Sequence, residues 1–345
     1  MSRALAGALV AALTLSGPLA MAQDIIEDDL KKQVTETPAE SADGWKLGLN
    51  LGSTISFNHN SNVVGVADGI NFQIGVLLGA FANLRAGQHE WLNSLDLKET
   101  FTKTPTIDQF LKSNDELVLK TTWLYHIEDL DWLGPFVRAA MNAQVFPGYD
   151  ARPDDVVLRK TLTDGTVTQD TVEGQHAITL TGAFEPTKLK EVAGLFANPV
   201  DMESARLQVQ LGVGSTQTFT DGGFVVTDDD KTPELELTQL EDYIQVGAEL
   251  EITLGGKLQK IIAWGVNASF FQPFYSTEER GLSGVDLMTI GVAANLSVKL
   301  AEWASLDYVL TAKREPLILD EWQVANGLLF TAGFSVFDPE PAPAP

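Results

Sequence analysis

Four histidines, His59, His89, His126 and His176, are the first places to look for acid–base chemistry. Only His176 has carboxylates shortly before it, Asp170 and Glu173. A Ser/His or Asp/His hydrolytic site needs its members brought together in space, and closeness along the chain does not achieve that. His176 is better read as a solvated residue at the rim of a strand, so no catalytic residue is assigned. The run Asp228-Asp229-Asp230 gathers oxygen ligands of the kind hard cations take. It lacks the alternating ligands and the glycine of a dedicated calcium loop, and reads as solvated charge. No metal or cofactor is assigned, and the absence of cysteine removes disulfides and thiolate chemistry together.

The remaining chemistry lies in polar residues interleaved with apolar ones. In WKLGLNLGSTISF, residues 45–57, Trp45, Leu47, Leu49, Leu51, Ile55 and Phe57 share one face, and Lys46, Gly48, Asn50, Gly52, Thr54 and Ser56 take the other. A period of two is a β-strand seen from its two faces. Strands of soluble domains average about 5 to 6 residues, whereas a tilted strand crossing a bilayer needs about 9 to 11. The 13 residues here fit the second case.

Composition agrees. The net charge of -24, with no cluster of Lys and Arg, excludes nucleic acid as a partner. The opening MSRALAGALVAALTLSGPLAMAQ has Arg3, an apolar run and Ala20-Met21-Ala22, so residues 1–22 read as a secretory signal peptide. No later run approaches the roughly 20 apolar residues of a membrane helix.

Twelve alternating stretches are predicted as strands, with a margin of two either way. They begin at residues 45, 71, 90, 116, 135, 175, 206, 242, 262, 286, 304 and 322. Short turns near Gly87, at Gly255-Gly256 and at Ala301-Glu302 fall on one side, and the links 58–69, 102–114, 147–174 and 215–240 fall on the other. That asymmetry is the pattern of an all-β transmembrane antiparallel up-and-down β-barrel with short periplasmic turns and long outer loops. The long link 185–204 breaks it, and leaves room for another strand or a helix. Asp164-Gly165 signals a hairpin within an outer loop. The expected organisation is a signal peptide at 1–22, an acidic flexible periplasmic segment at 23–44, the barrel at 45–337 and a Pro-rich tail at 338–345.

The stretches WKLGLNLGSTISF, FLKSNDELVLKTTWLYHI, AQVFPGYD and WGVNASFFQPFY, in that order, resemble an uncharacterised family of Gram-negative outer-membrane β-barrels, a domain of unknown function. The resemblance covers about Trp45 to Phe337. It implies the fold and the outer membrane, and brings no catalytic residue, ligand or transported solute.

With lipid on the apolar side, the other face points into the lumen. Lys46, Gln73, Arg85, Lys98 and Lys120 are lumen candidates from the first four strands. Arg138, Asn142, Gln144, Arg206 and Gln208 follow, with Gln210 beside them. Glu249, Glu251 and Asp307 supply acidic charge late in the chain, with Lys313 nearby. Such groups either line a hydrated passage for small polar solutes or pair into internal salt bridges that fill the barrel. The expected partners are outer-membrane lipid and, during biogenesis, the barrel-assembly machinery. The two functions weighed are a passive or narrowly selective pore and a non-conducting barrel presenting acidic outer loops for adhesion or envelope organisation.

Overall fold

The computed structural model describes residues 43–60, 69–202, 204–227, 232–259, 261–278, 281–301 and 303–337. The predicted signal peptide, nearly all of the acidic segment, the Asp228-Asp229-Asp230 run and the Pro-rich tail lie outside the described residues.

Eighteen strands are described. The first five are β1 (Gly44–Asn60), β2 (Gly69–Ala86), β3 (His89–Lys103), β4 (Leu111–Tyr125) and β5 (Leu133–Ala143). Four short ones follow, β6 (Gly148–Ala151), β7 (Val156–Thr161), β8 (Val167–Val172) and β9 (Ala177–Thr181). Then come β10 (Thr187–Met202), β11 (Ala205–Phe219), β12 (Phe224–Val226), β13 (Leu235–Gln239), β14 (Tyr243–Leu258) and β15 (Ile262–Ser276). The last are β16 (Thr289–Ala301), β17 (Ala304–Glu315) and β18 (Leu319–Phe337).

Twelve of these close into a barrel in the order β1-β18-β17-β16-β15-β14-β11-β10-β5-β4-β3-β2. Every barrel pairing is antiparallel, and β1 seals against β18 through pairs such as Leu51↔Phe334 and Ile55↔Phe330. Closure leaves no edge, which a sheet in hydrocarbon requires because nothing there can satisfy a free N–H or C=O. Each of the twelve strands contributes at least one large exposed apolar or aromatic residue to the outside, among them Val76, Val137, Leu195, Leu211, Tyr308 and Leu328.

The expected count of twelve holds, but one member changes. The stretch 175–184, expected to cross the membrane, supplies only β9, which pairs with β6 outside the barrel. The sixth barrel strand is β10, inside the long link 185–204. Its inward positions explain the misreading. Lys188 and Lys190 are followed on the same face by Val192 and Phe196, which pack against Leu124 and Phe136 of β4 and β5. Exposed Glu191 lies on the opposite face, so the contrast between faces is blurred. Gly255-Gly256 is also not a turn: β14 runs on to Leu258, with Gly255 opposite Gly265.

At the end of the barrel where β1 starts and β18 finishes, here called proximal, β2–β3, β10–β11, β14–β15 and β16–β17 join tightly. The distal links are longer. Those after β5 and β11 build a four-stranded sheet in the order β12-β13-β7-β8. Leu158, Ile178, Leu180, Leu235 and Leu237 form its buried core. The hairpin signalled by Asp164-Gly165 is β7–β8, where the Thr166 N–H donates to Asp164 Oδ1 at 2.8 Å. The distal link between β17 and β18 is the exception, only Pro316 to Ile318.

Candidate functional site

Inside the barrel, charge concentrates on the wall formed by β5, β10, β11 and β14. The Arg138 guanidinium donates to Glu249 and to Glu251, and to Gln210 Oε1 at 2.9 Å. Lys190 Nζ lies 2.5 Å from the second Glu249 oxygen. Asn267 Nδ2 donates to Glu251 Oε1 at 2.9 Å, and Gln210 Nε2 to Gln208 Oε1 at 3.1 Å. Arg138 and Glu249 are 4% and 3% exposed, so these charges are solvated by one another rather than by bulk water.

Between Arg138 and β14 the inward positions carry one medium-sized side chain, Val192, and otherwise glycine. Its row across the sheet runs to Val192, Gly214 and Gly247, and the next inward row runs from Phe136 to Gly194, Gly212 and Glu249. A Cβ on Gly212 or Gly214 would sit 2.9 or 2.8 Å from a Val192 methyl. The two glycines make room for the Val192 side chain beside Arg138.

Toward the proximal end the same wall turns apolar. Leu124, Phe136, Val192 and Phe196 are all buried there. On the other side of the barrel, the Phe81 ring lies against Gly48, its partner across β1 and β2.

Arg138, Gln208, Gln210, Glu249 and Glu251, all expected in the lumen, come together in one group. Lys120 and Lys190 add positive charge acting on Glu251. Asn142 donates to Glu116 at 2.9 Å, and Gln73 to Ser113 at 3.3 Å. Asp307, 2% exposed, accepts from Ser305 at 2.8 Å away from the Arg138 group. Lys46, Arg85 and Lys98 are half-buried on their strands.

Two expected lumen residues lie elsewhere. Gln144 is one residue beyond the end of β5, in the distal link, where it accepts from Lys112. Arg206 sits at the proximal turn, paired with Asp201 at 2.9 Å. The sequence reading missed Lys188 and Lys190, because both lie in the stretch read as a link. It also missed Asp115, which accepts from Lys112 and from the backbone N–H groups of Val145 and Phe146, tying the distal link to β4.

Among the described side chains, His89, His126 and His176 lie apart, each in its own setting. His176 is exposed, with Nδ1 3.2 Å from the Gly174 carbonyl rather than beside a carboxylate. His89 packs on Trp123 and Tyr125 at 5.7 and 5.2 Å. His126, in the link after β4, has Nδ1 2.6 Å from the Asp131 carbonyl and Nε2 3.0 Å from Glu90. Both ring nitrogens face acceptors, which favours the doubly protonated ring. The Glu90 hydrogen bond is the largest cause, and it holds this imidazole above its ordinary value against the opposing effect of burial. Among the described residues no group of three or more His, Cys, Asp or Glu is arranged to hold a metal ion.

A closed antiparallel barrel with an apolar outside and a charged inside is the architecture of a membrane-spanning β-barrel, and this fold is of that class. No family model matches the chain, and no curated protein does. Solved structures similar to it are outer-membrane barrels. The β domain of the Bordetella autotransporter Brka aligns at 12% identity over 85% of this chain and 99% of that one, with a TM-score of 0.32. The translocator domain of the autotransporter NalP from Neisseria meningitidis aligns at 8% over 89% and 92%, with a TM-score of 0.38. The COG4313 outer membrane channel from Pseudomonas putida F1 aligns at 7% over 86% and 96%, with a TM-score of 0.39. At these scores the likeness says nothing of cargo or activity.

Proposed function

We propose that the protein is a channel in the outer membrane of a Gram-negative bacterium, passing small polar solutes through a narrow lumen whose selectivity is set by the Arg138 group. The distal loops then face outward and the tight turns face the periplasm, the usual orientation of such barrels. The observation that carries this reading is the Arg138–Glu249–Glu251 arrangement. Buried ion pairs seldom stabilise more than apolar side chains of the same volume. An interior that only needed filling would be served by residues such as Phe136 and Phe196, which fill it nearby. Fixed charges held flat against one wall are instead suited to choosing among solutes.

The display reading has two observations in its favour: the Arg138 charges are buried and paired with one another, as in a barrel filled by internal salt bridges, and the distal sheet with its own apolar core is more structure than a passage needs. Conductance of folded protein in a planar bilayer separates the two. A channel gives discrete steps, and Arg138→Gln with Lys120→Gln shifts its preference toward cations. Silence from folded protein favours display.

A further inference from the structure

We infer that Lys188 and Glu315 form a latch that holds an apolar lid shut over the distal mouth of the barrel. The inference rests on the channel reading and adds its gate.

Lys188 is near the distal end of β10 and Glu315 ends β17. Four barrel strands, β11, β14, β15 and β16, separate them by the shorter way round. A pair that far apart in a ring of twelve spans the opening, unlike the Arg138 group, which follows the wall. Glu315 is 8% exposed and gathers several donors: Lys188, Lys313 at 2.5 Å and the Tyr243 hydroxyl at 3.2 Å. Tyr243 and Lys188 lie in one row across β10, β11 and β14, through Thr218.

The residue after Glu315 begins the shortest distal link, Pro316 to Ile318. A link at the watery end of a barrel is ordinarily polar and exposed. Here Leu317 and Ile318 are 3% and 4% exposed, packed against Leu240 and Leu287 from two other distal links and against Tyr243 at the start of β14. The lid is therefore hinged directly on the latch residue. Releasing Lys188 from Glu315 removes the ion pair that ties the lid to β10. A solute carrying an anionic group can take Lys188 in exchange, and a cationic one can take Glu315.

The chain contains no cysteine, so Thr311→Cys, on the face of β17 that carries Glu315 and four residues below it, is a sole thiol. The test is its labelling by a charged, membrane-impermeant maleimide added to the distal side of vesicles, in protein shown to be folded by its mobility on an unboiled gel. Glu315→Gln and Lys188→Met, each in that background, are expected to label at least about tenfold faster than the parent, and to lengthen open times in a bilayer. Arg138→Gln is expected to change ion preference and leave labelling at the parent rate. Should Glu315→Gln lack the folded mobility, Lys188→Met carries the test. Equal labelling of parent and latch variants overturns the latch, and so does fast labelling of the parent. Conductance steps alongside equal labelling overturn the latch and leave the channel standing. Faster labelling in protein that never conducts keeps the lid and overturns the channel.

Discussion

Arg138 on β5 is bonded to Glu249 on β14 although β10 and β11 lie between them in the barrel wall. The side chain spans that distance on a wall of small residues, and both partners are buried. Removing one member of a buried ion pair leaves the other charged and unsolvated, which costs about 3 to 5 kcal/mol. Arg138→Met is therefore expected to lower unfolding stability by about that amount. The triple variant with Glu249→Gln and Glu251→Gln is expected to recover part of the loss, since Lys190 then lacks its Glu249 partner. Denaturant unfolding followed by gel mobility checks it; a triple variant as unstable as the single one contradicts the pairing.

The barrel's outward face is expected to reject charge in proportion to depth. Arg at Val76 or Leu211, both mid-strand and exposed, should cost about 2 to 4 kcal/mol, the amount typical near the bilayer midplane. Arg at the inward-facing Gln73 should cost far less. Equal costs at the two kinds of position would mean that the faces are assigned the wrong way round.

His126 gives the proximal end a pH dependence of defined sign. Its folded value lies above its unfolded one, so the stabilisation is fully present below the ordinary histidine range, about pH 6.5, and is lost as pH rises through the raised value. Unfolding midpoints are expected to fall as pH rises from about 6.5 through the raised value, and His126→Gln to remove part of that fall. An NMR titration of the ring that gives a value at or below the ordinary one would contradict it.

Most of the architecture was legible because alternation records which face meets lipid. WKLGLNLGSTISF and RLQVQLGVG are strands where the alternation places them, and the tight turns at Gly87 and Ala301 fall between paired strands. The reading failed where the interior is not polar. Val192 and Phe196 point inward because Leu124 and Phe136 need partners, so β10 lost its contrast, while residues 175–184 alternate for a different reason: one face of β9 packs on the core of the distal sheet. The site was partly legible for the same reason. Facing direction is local and readable, so Arg138, Glu249 and Glu251 were identified. Which of them meet depends on strand order and on the glycines between, and neither is written in any one strand.

That correction has its own test. A protease site inserted between Asp164 and Gly165 is expected to leave folding intact and to be cut from the distal side. The same insertion between Gly194 and Leu195 is expected to abolish the folded mobility, because it breaks β10 on both of its pairings. Tolerance of the insertion at 194 would restore the reading of residues 185–204 as a link and of 175–184 as the sixth barrel strand.

The channel itself is tested most directly by single-channel recording on folded protein in a planar bilayer. The expected result is discrete, reproducible steps whose ion preference moves toward cations when Arg138 and Lys120 are neutralised. Folded protein that stays silent, including with the Glu315→Gln and Lys188→Met substitutions that should open the mouth, would contradict the account.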